Sequence, residues 1–230
     1  MTGWKGVITV APTHHEARVP QQQRSRITRD VIVDSAAQEF SRRGFGGASV
    51  NSILGASGRT KGAMYFHFQS KHDLAVAVSE AAAHRYTAIA EPWRRASGDP
   101  IEALAGLIGE VTAGIVGEPV LRAELRLGID PDFPSGTVTR ASLGWERVAH
   151  DLAVAAERTG CFTAPFGPTR FVAAMAYMLA GGGVMADISD DPTALHARFD
   201  ESTDAVVVAM TSPDTATRYR SVTTTNTHRG

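Results

Sequence analysis

The stretch SVNSILGASGRTKGAMYFHFQSKHD, residues 49–73, decides the fold. Ser49 is a good N-cap for a short helix, because its hydroxyl can accept a hydrogen bond from a free backbone N–H group. Gly58 permits a tight turn, and Thr60 can cap a second short helix over residues 61–66. The first helix has one apolar face, formed by Val50, Ile53 and Leu54. The stretch therefore predicts two short helices joined by a tight turn.

The second short helix is suited to reading double-stranded DNA, since a helix presented in this way fits the major groove. The Thr60 hydroxyl can bond a phosphate while it caps the helix. Lys61 adds a positive charge beside the free N–H groups of the helix start, which themselves attract phosphate oxygens. The same helix carries small residues that let the backbone approach base edges, and side chains with polar tips: Gly62, Ala63, Tyr65 and His67.

Helical periodicity continues on both sides. Apolar residues between Ile32 and Phe40 fall on one face of a helix predicted over residues 24–43, and Gly44 is its stop signal. A capping box at residues 70–73 predicts a long helix that runs to about Trp93. Five further helices are predicted at 100–116, 118–128, 136–159, 168–187 and 193–211. Because no segment shows strand-like alternation, the expected fold class is all-α.

Breaks between the later helices contain glycine, proline or aspartate, as in Gly98, Asp130-Pro131, Gly160 and Asp190-Asp191. Pro100, Pro119, Pro168 and Pro192 each stand where a helix would begin, which suits the first-turn preference of proline. Residues 1–22 lack sustained periodicity and are expected to be a flexible arm. The Thr-rich segment 213–230 is expected to be a flexible tail.

The charge of the chain is unevenly distributed, although its net value is −1. Residues 1–73 carry ten Lys or Arg and five Asp or Glu, whereas residues 74–230 carry thirteen Arg and nineteen acids. A basic N-terminal third attached to an acidic remainder suggests that one end meets a polyanion. Ordinary variation of surface charge would produce a similar asymmetry.

Composition excludes several classes of protein. A hydrophobic content of 43% is enough for a packed core. The first 20 residues do not look like a signal peptide, and the apolar stretches are expected to be too short to span a bilayer, so no membrane partner is predicted. The single cysteine, Cys161, cannot form an internal disulfide, which fits a reducing cytoplasm.

The motif TKGAMYFHF at residues 60–68, followed by Lys71 and Asp73-Leu74, resembles the signature of the TetR family of bacterial repressors. Upstream residues that fit the same pattern are Ala36, Ala37, Phe40, Arg43, Gly44, Phe45 and Ser49. The match covers roughly residues 24–75. The resemblance implies an all-α homodimer that binds double-stranded operator DNA through three helices. It also implies a larger C-terminal domain that binds a ligand and forms the dimer.

The resemblance divides the chain into a helix-turn-helix domain at 23–70 and a ligand-binding and dimerisation domain at 71–212, between the arm and the tail. The DNA-binding residues that it and the helix chemistry predict are Arg26, Ser49, Arg59, Thr60, Lys61, Gly62, Ala63, Tyr65, Phe66, His67 and Lys71.

Arg59 departs from the family pattern, which has a small aliphatic residue here, and Ser57 replaces the commoner alanine. Burial of an unpaired guanidinium would cost several kcal/mol. Arg59 is therefore expected to point outward, beside phosphate or in solvent.

A narrower resemblance extends into the C-terminal domain. The KGAMYFHF variant, the run EPVLRAELRL at residues 118–127 and the triplet Trp145-Glu146-Arg147 are similar to the γ-butyrolactone receptors of actinomycetes. Those receptors bind lactone or butenolide signals and control antibiotic production. The resemblance implies a small, mostly apolar signal ligand that releases the repressor from DNA.

Trp145 is the leading candidate for the ligand site, because a tryptophan at this position lines the lactone pocket of that subfamily. A lone Trp in an amphipathic helix is otherwise more often a core residue. Tyr86 could donate a hydrogen bond to a ligand carbonyl, although a surface or core role suits it equally well. The predicted ligand-binding residues are Tyr86, Leu121, Leu125, Trp145, Phe171, Met175 and Met178. Packing is the default role for the last three.

Two other functions are considered. A sensor of antibiotics or other drugs would share the DNA-binding head and accept diverse apolar ligands. An enzyme would need a nucleophile with a positioned base, and nothing near Cys161 supplies one. The eight histidines lack zinc-ligand spacing with cysteines. No catalytic residue, metal site or cofactor is therefore expected.

Overall fold

The computed structural model describes residues 21–134, 143–186 and 192–227. Within these ranges the chain forms ten α-helices and one isolated β-bridge, between Phe162 and Thr211. The helices are α1 (Gln21–Gly47), α2 (Val50–Ser57), α3 (Lys61–His67), α4 (Lys71–Arg94), α5 (Pro100–Gly117), α6 (Pro119–Ile129), α7 (Leu143–Glu157), α8 (Pro168–Ala186), α9 (Pro192–Met210) and α10 (Pro213–Thr227). The predicted all-α fold class is confirmed.

The side chains pack into two apolar clusters. The first, called the head cluster here, joins α1, α2, α3 and the start of α4. The second, the C-terminal cluster, joins the rest of α4 to α5, α7, α8, α9 and α10. Helix α6 contributes to both, because Ala123 and Leu127 lie in the head cluster while Leu121 lies in the C-terminal cluster. α6 therefore packs against both parts of the molecule.

The C-terminal segment differs from its prediction. Residues 213–227 are helical, and the expectation of a flexible tail at 213–230 is wrong for them. Ala216 and Tyr219 are buried in the C-terminal cluster, and Arg220 Nη2 donates to Asp204 Oδ2 at 2.7 Å. Tertiary packing of two apolar side chains stabilises a helix that a Thr-rich sequence would not form alone.

The N-terminal arm, predicted at residues 1–22, lies outside the described residues except for Gln21 and Gln22, which already belong to α1. Residues 136–142, the predicted start of the seventh helix, also lie outside them.

Helix α5 corrects one expectation about apolar stretches. It has 18 residues with a mean hydropathy of 1.3, so by length and composition it could cross a membrane. However, 56% of the helix is buried inside the protein, where it packs against α4, α7 and α10. Its composition is that of the central helix of an apolar core.

Candidate nucleic-acid interface and ligand cluster

Helices α2 and α3 begin at caps that the sequence predicts. Ser49 Oγ accepts a hydrogen bond from Ser52 N at 3.0 Å, and Ser49 N donates to Ser52 Oγ at 3.3 Å, which makes a reciprocal capping box. Thr60 Oγ1 accepts from Ala63 N at 3.2 Å. Gly58, between the helices, has a φ of 62°. The turn is therefore built from a left-handed glycine between two capped helices.

Helix α3 exposes four of its seven residues, while Ala63 and His67 are half-buried. Of its seven residues, Met64 alone is buried, and it anchors the helix in the head cluster. Tyr65 is 54% exposed and Phe66 is 80% exposed. Two such large aromatic rings on one short helix are unusual for a surface that faces only water. Lys61 and Gly62 are exposed at the start of the same helix.

Exposed cations lie on α1 and just before α3. Arg26 and Arg59 are exposed, and the Arg29 guanidinium lies 5.3 Å from the centre of the Phe68 ring. The expectation that Arg59 points outward is confirmed. Ser57, the other departure from the family pattern, is used within the turn: its hydroxyl donates to Leu54 O and accepts from Arg59 N.

Lys71 is oriented differently from the other predicted DNA-binding residues. Its ammonium donates to Phe45 O at 2.6 Å and to Ala48 O at 3.0 Å. It also lies 4.4 Å from the centre of the Phe45 ring. The side chain is half-buried against the connection between α1 and α2. The expectation that Lys71 points toward DNA is not supported by these contacts.

Sequence reasoning missed Asp130, which lies at the end of α6. Asp130 Oδ2 accepts from Phe45 N at 2.6 Å and from Gly46 N at 3.3 Å. Nearby, the Phe133 ring lies 5.2 Å from the Phe45 ring. Asp130-Pro131 is recognisable in the sequence only as a helix break, because its partners are about 85 residues away along the chain.

The seven predicted ligand-binding residues all belong to the C-terminal cluster or pack against it. Tyr86 of α4, Leu121 of α6, Trp145 of α7, and Phe171 and Met175 of α8 are all buried in the C-terminal cluster. The remaining two, Leu125 and Met178, are half-buried and pack against it. These residues come from four helices, and all seven are wholly or partly buried.

Tyr86 places a polar group within this cluster. Burial raises its pKa well above the usual value, and the nearby carboxylates of Glu124 and Glu146 raise it further. The phenol therefore stays protonated at neutral pH and keeps its hydrogen for donation. Trp145, which is 2% exposed, adds an indole N–H donor to the same cluster.

The glycines of α8 serve close packing. A Cβ on Gly182 would clash with the Phe199 ring, and a Cβ on Gly183 would clash with Leu125. Gly181 has open space around it and is exposed. Two of the three glycines therefore allow α8 to approach its neighbours.

Cys161 is buried, and burial raises the pKa of its thiol to about 11. The thiol is therefore protonated and a poor nucleophile at neutral pH. Among the described residues, no group of three or more His, Cys, Asp or Glu side chains could hold a metal ion.

Residues 32–78 match the family profile described as "Bacterial regulatory proteins, tetR family". The A-factor receptor protein of Streptomyces griseus is 32% identical over 121 residues, which are 53% of this chain and 40% of that relative. The alignment therefore spans less than half the length of that relative.

Solved structures match over more of the chain. A γ-butyrolactone receptor described as ArpA-like superposes with a TM-score of 0.71 at 26% identity, covering 86% of this chain and 95% of that one. CprB of Streptomyces coelicolor, solved in complex with its biological operator sequence, superposes with a TM-score of 0.70 at 25% identity, covering 90% of this chain and 100% of that one. Residues 32–78 are thus similar to the N-terminal domain of tetR-family regulators, as the helix-turn-helix motif predicts, and the chain is similar in sequence and fold to the γ-butyrolactone receptors.

Proposed function

We propose that the chain is a transcriptional repressor that binds operator DNA as a dimer and leaves it when a γ-butyrolactone or butenolide binds the C-terminal domain. The observation that carries the proposal is α3, a capped helix anchored by Met64 that exposes Tyr65 and Phe66 beside Lys61. A helix so presented can enter a major groove without rearrangement.

The head supplies both parts of DNA recognition. Arg26, Arg59 and Lys61 are exposed cations that can neutralise phosphates. The small residues Gly62 and Ala63 let the start of α3 come close to the base edges, where direct readout takes place. Tyr65 and Phe66 add flat surfaces for contacts with sugars or thymine methyl groups.

A second copy of the chain is the partner proposed for α8. Tyr177 and Met185 lie eight residues apart on this helix, hence on the same face, and are 71% and 55% exposed. Val208 of the neighbouring α9 is 48% exposed. Two copies packed through this apolar surface would present two equivalent heads to a near-palindromic operator.

The proposed ligand site is the C-terminal cluster around Trp145. Its buried indole and aliphatic side chains suit a lactone ring with an apolar tail, and the protonated Tyr86 hydroxyl can donate to a ligand carbonyl. The similarity to solved γ-butyrolactone receptors supports this class of ligand. Release follows by linkage, because a ligand that binds better to a rearranged cluster stabilises the conformation whose heads no longer fit both half-sites.

The proposal can be tested by two measurements on the intact protein. First, the protein is used to enrich duplexes from a random-sequence pool, and its affinity for the selected duplex is measured by fluorescence anisotropy. Second, a synthetic 2-acyl-γ-butyrolactone is titrated into the complex, with the unsubstituted lactone ring as control. We expect a near-palindromic duplex, and release by the acylated compound alone.

Other outcomes would point elsewhere. Release by unrelated apolar drugs and not by lactones would favour a drug sensor. Chemical conversion of the lactone would indicate an enzyme. Failure to enrich any duplex would exclude the DNA-binding part of the proposal. Because operator DNA is the proposed partner, we expect the protein in the cytoplasm.

A further inference from the structure

We propose that Lys71 is a positioning residue of the helix-turn-helix, which holds α2 and α3 in their DNA-reading orientation and makes no phosphate contact of its own. The inference rests on the proposed DNA binding by the head. It replaces the expectation that Lys71, a cation at the start of α4, belongs to the DNA-contacting surface.

The contacts of Lys71 point into the protein. Its ammonium donates to Phe45 O at 2.6 Å and to Ala48 O at 3.0 Å, so at least two of its three N–H donors face backbone carbonyls. The ammonium also lies 4.4 Å from the centre of the Phe45 ring, within the range of a cation–π interaction. These three contacts together hold the Lys71 ammonium against the connection between α1 and α2.

The Phe45 and Ala48 carbonyls lie where α1 ends and α2 begins, so their bonds to Lys71 join the two ends of the helix-turn-helix. Ala48 and Lys71 bracket a segment that contains all of α2 and all of α3. The Lys71 side chain therefore links the start of α4 to the end of α1, and the whole helix-turn-helix forms the loop between these two points. Since base readout depends on hydrogen-bond geometry, a reading helix must be held within about half an ångström of its productive position.

Phe45, the residue that Lys71 holds, is fixed on its other side as well. Its N–H donates to Asp130 Oδ2 at 2.6 Å, while its carbonyl accepts from Lys71. Its ring lies 5.2 Å from Phe133. The Asp130 carboxylate thus holds the N–H group of Phe45, and the Lys71 ammonium holds its carbonyl. The ammonium is therefore stabilised by contacts within the protein.

Lys61 provides the matched control. It is also a lysine at the first position of a helix, but it is exposed at the start of α3. The variants are Lys71→Met, which keeps length and removes the charge, Lys71→Arg, which keeps the charge, and Lys61→Met. The intact protein is titrated by fluorescence anisotropy with its selected duplex and with a random-sequence duplex of equal length, at several KCl concentrations. The melting temperature of each variant is also measured.

We expect Lys71→Met to lower affinity for the selected duplex by about tenfold or more, since hydrogen bonds of a charged group are lost. The log–log salt slope should be unchanged, and the preference for the selected over the random duplex should fall. Lys61→Met should reduce the slope by about one unit and weaken both duplexes alike. Lys71→Arg should keep the slope and still lose preference, because a planar guanidinium does not fit the place of a compact ammonium.

Two results would overturn the inference. One is a loss of about one unit of salt slope in Lys71→Met with the preference retained, which is the behaviour of a phosphate contact. The other is a wild-type preference in Lys71→Arg, which also decides the matter if Lys71→Met does not fold. Failure of the proposed function is distinguishable, because the wild-type protein would then prefer no duplex and show no salt dependence.

Discussion

Helix α3 of the head exposes 54% of Tyr65 and 80% of Phe66, whereas the C-terminal domain buries Trp145, Phe171 and Met175 almost completely. The two regions therefore present their proposed binding residues in opposite ways. The head can meet a partner as it stands. The proposed ligand-binding residues of the C-terminal cluster are shielded from solvent, so a ligand would have to pass between the helices that cover them.

This difference explains how a ligand could control DNA binding at a distance. A ligand in the C-terminal cluster would contact the side chains of this cluster, and α6 is shared by both clusters. From Leu121 in the C-terminal cluster, α6 leads to Leu127 and then to Asp130, which holds the backbone of Phe45 in the head. A shift of α6 would therefore reach the base of the helix-turn-helix.

The largest expected effect comes from the buried side. Trp145→Ala should cost about 3–5 kcal/mol of stability, because it leaves a large cavity in the core. It should also abolish release by the acylated lactone, while the folded fraction keeps its operator affinity. Thermal melting and anisotropy titrations check both expectations, and Trp145→Phe is the control that retains most of the packing. A folded Trp145→Ala protein that still leaves DNA at the wild-type lactone concentration would show that Trp145 is only a core residue.

A smaller loss of stability is expected from substitutions at two glycines of the head, Gly44 and Gly58. Gly44 has a φ of 68°, and a Cβ added there would clash with Asp130. Gly58 has a φ of 62°, but a Cβ there would meet nothing within 4 Å. Gly58→Ala should therefore cost only the backbone strain, about 1–2 kcal/mol. Gly44→Ala should cost measurably more, because the ψ of Gly44 is −175°, a conformation almost restricted to glycine, and because the added Cβ disturbs Asp130. Equal melting temperatures for the two variants would contradict the Asp130 contact.

The helix caps should contribute about as much as caps usually do. Ser49→Ala removes the capping box of α2 and should cost about 1 kcal/mol. Ser49→Asp, which can still accept from the Ser52 N–H group, serves as the control. Chemical denaturation of the intact protein measures the difference. A stability loss for Ser49→Ala no larger than that for Ser49→Asp would mean that the cap contributes nothing.

The smallest effect is expected at Arg59. Because this side chain is exposed, Arg59→Val should change stability by no more than about 0.5 kcal/mol. If Arg59 contacts phosphate alone, affinity should fall uniformly for all duplexes. The selection experiment repeated with the variant checks this. A changed base preference at one operator position would mean that Arg59 reads a base.

The head could be predicted closely from the sequence, because its structure depends on local chemistry. Ser49, Thr60 and Ser70 accept from backbone N–H groups three residues ahead, and such caps are visible in the spacing of residue types. Gly44, at a kink within α1, and Gly58, which ends α2, both adopt a positive φ. The sequence also predicts to within a few residues the bounds of the helices that begin at Pro100, Pro119, Pro168 and Pro192.

Long-range contacts could not be predicted. Asp130 binds amides about 85 residues away, and nothing near Asp130 in the sequence indicates its partner. The sequence shows only that Lys71 is a cation at a helix start, which is equally true of Lys61. The contacts of Lys71 depend on where α1 ends, which its own neighbours in the sequence do not indicate. The helix α10 was missed because its stability comes from burial of Tyr219 and not from helix propensity.

The most direct test of the central claim is release of the intact protein from its selected operator by a synthetic 2-acyl-γ-butyrolactone, followed by fluorescence anisotropy at constant salt. We predict that the wild-type protein binds the selected duplex with strongly salt-dependent affinity and is released by the acylated lactone in a saturable manner, while the Trp145→Ala protein remains bound. Operator binding that is unaffected by saturating acylated lactones in the wild-type protein would contradict the claim that the C-terminal cluster is a lactone-responsive site.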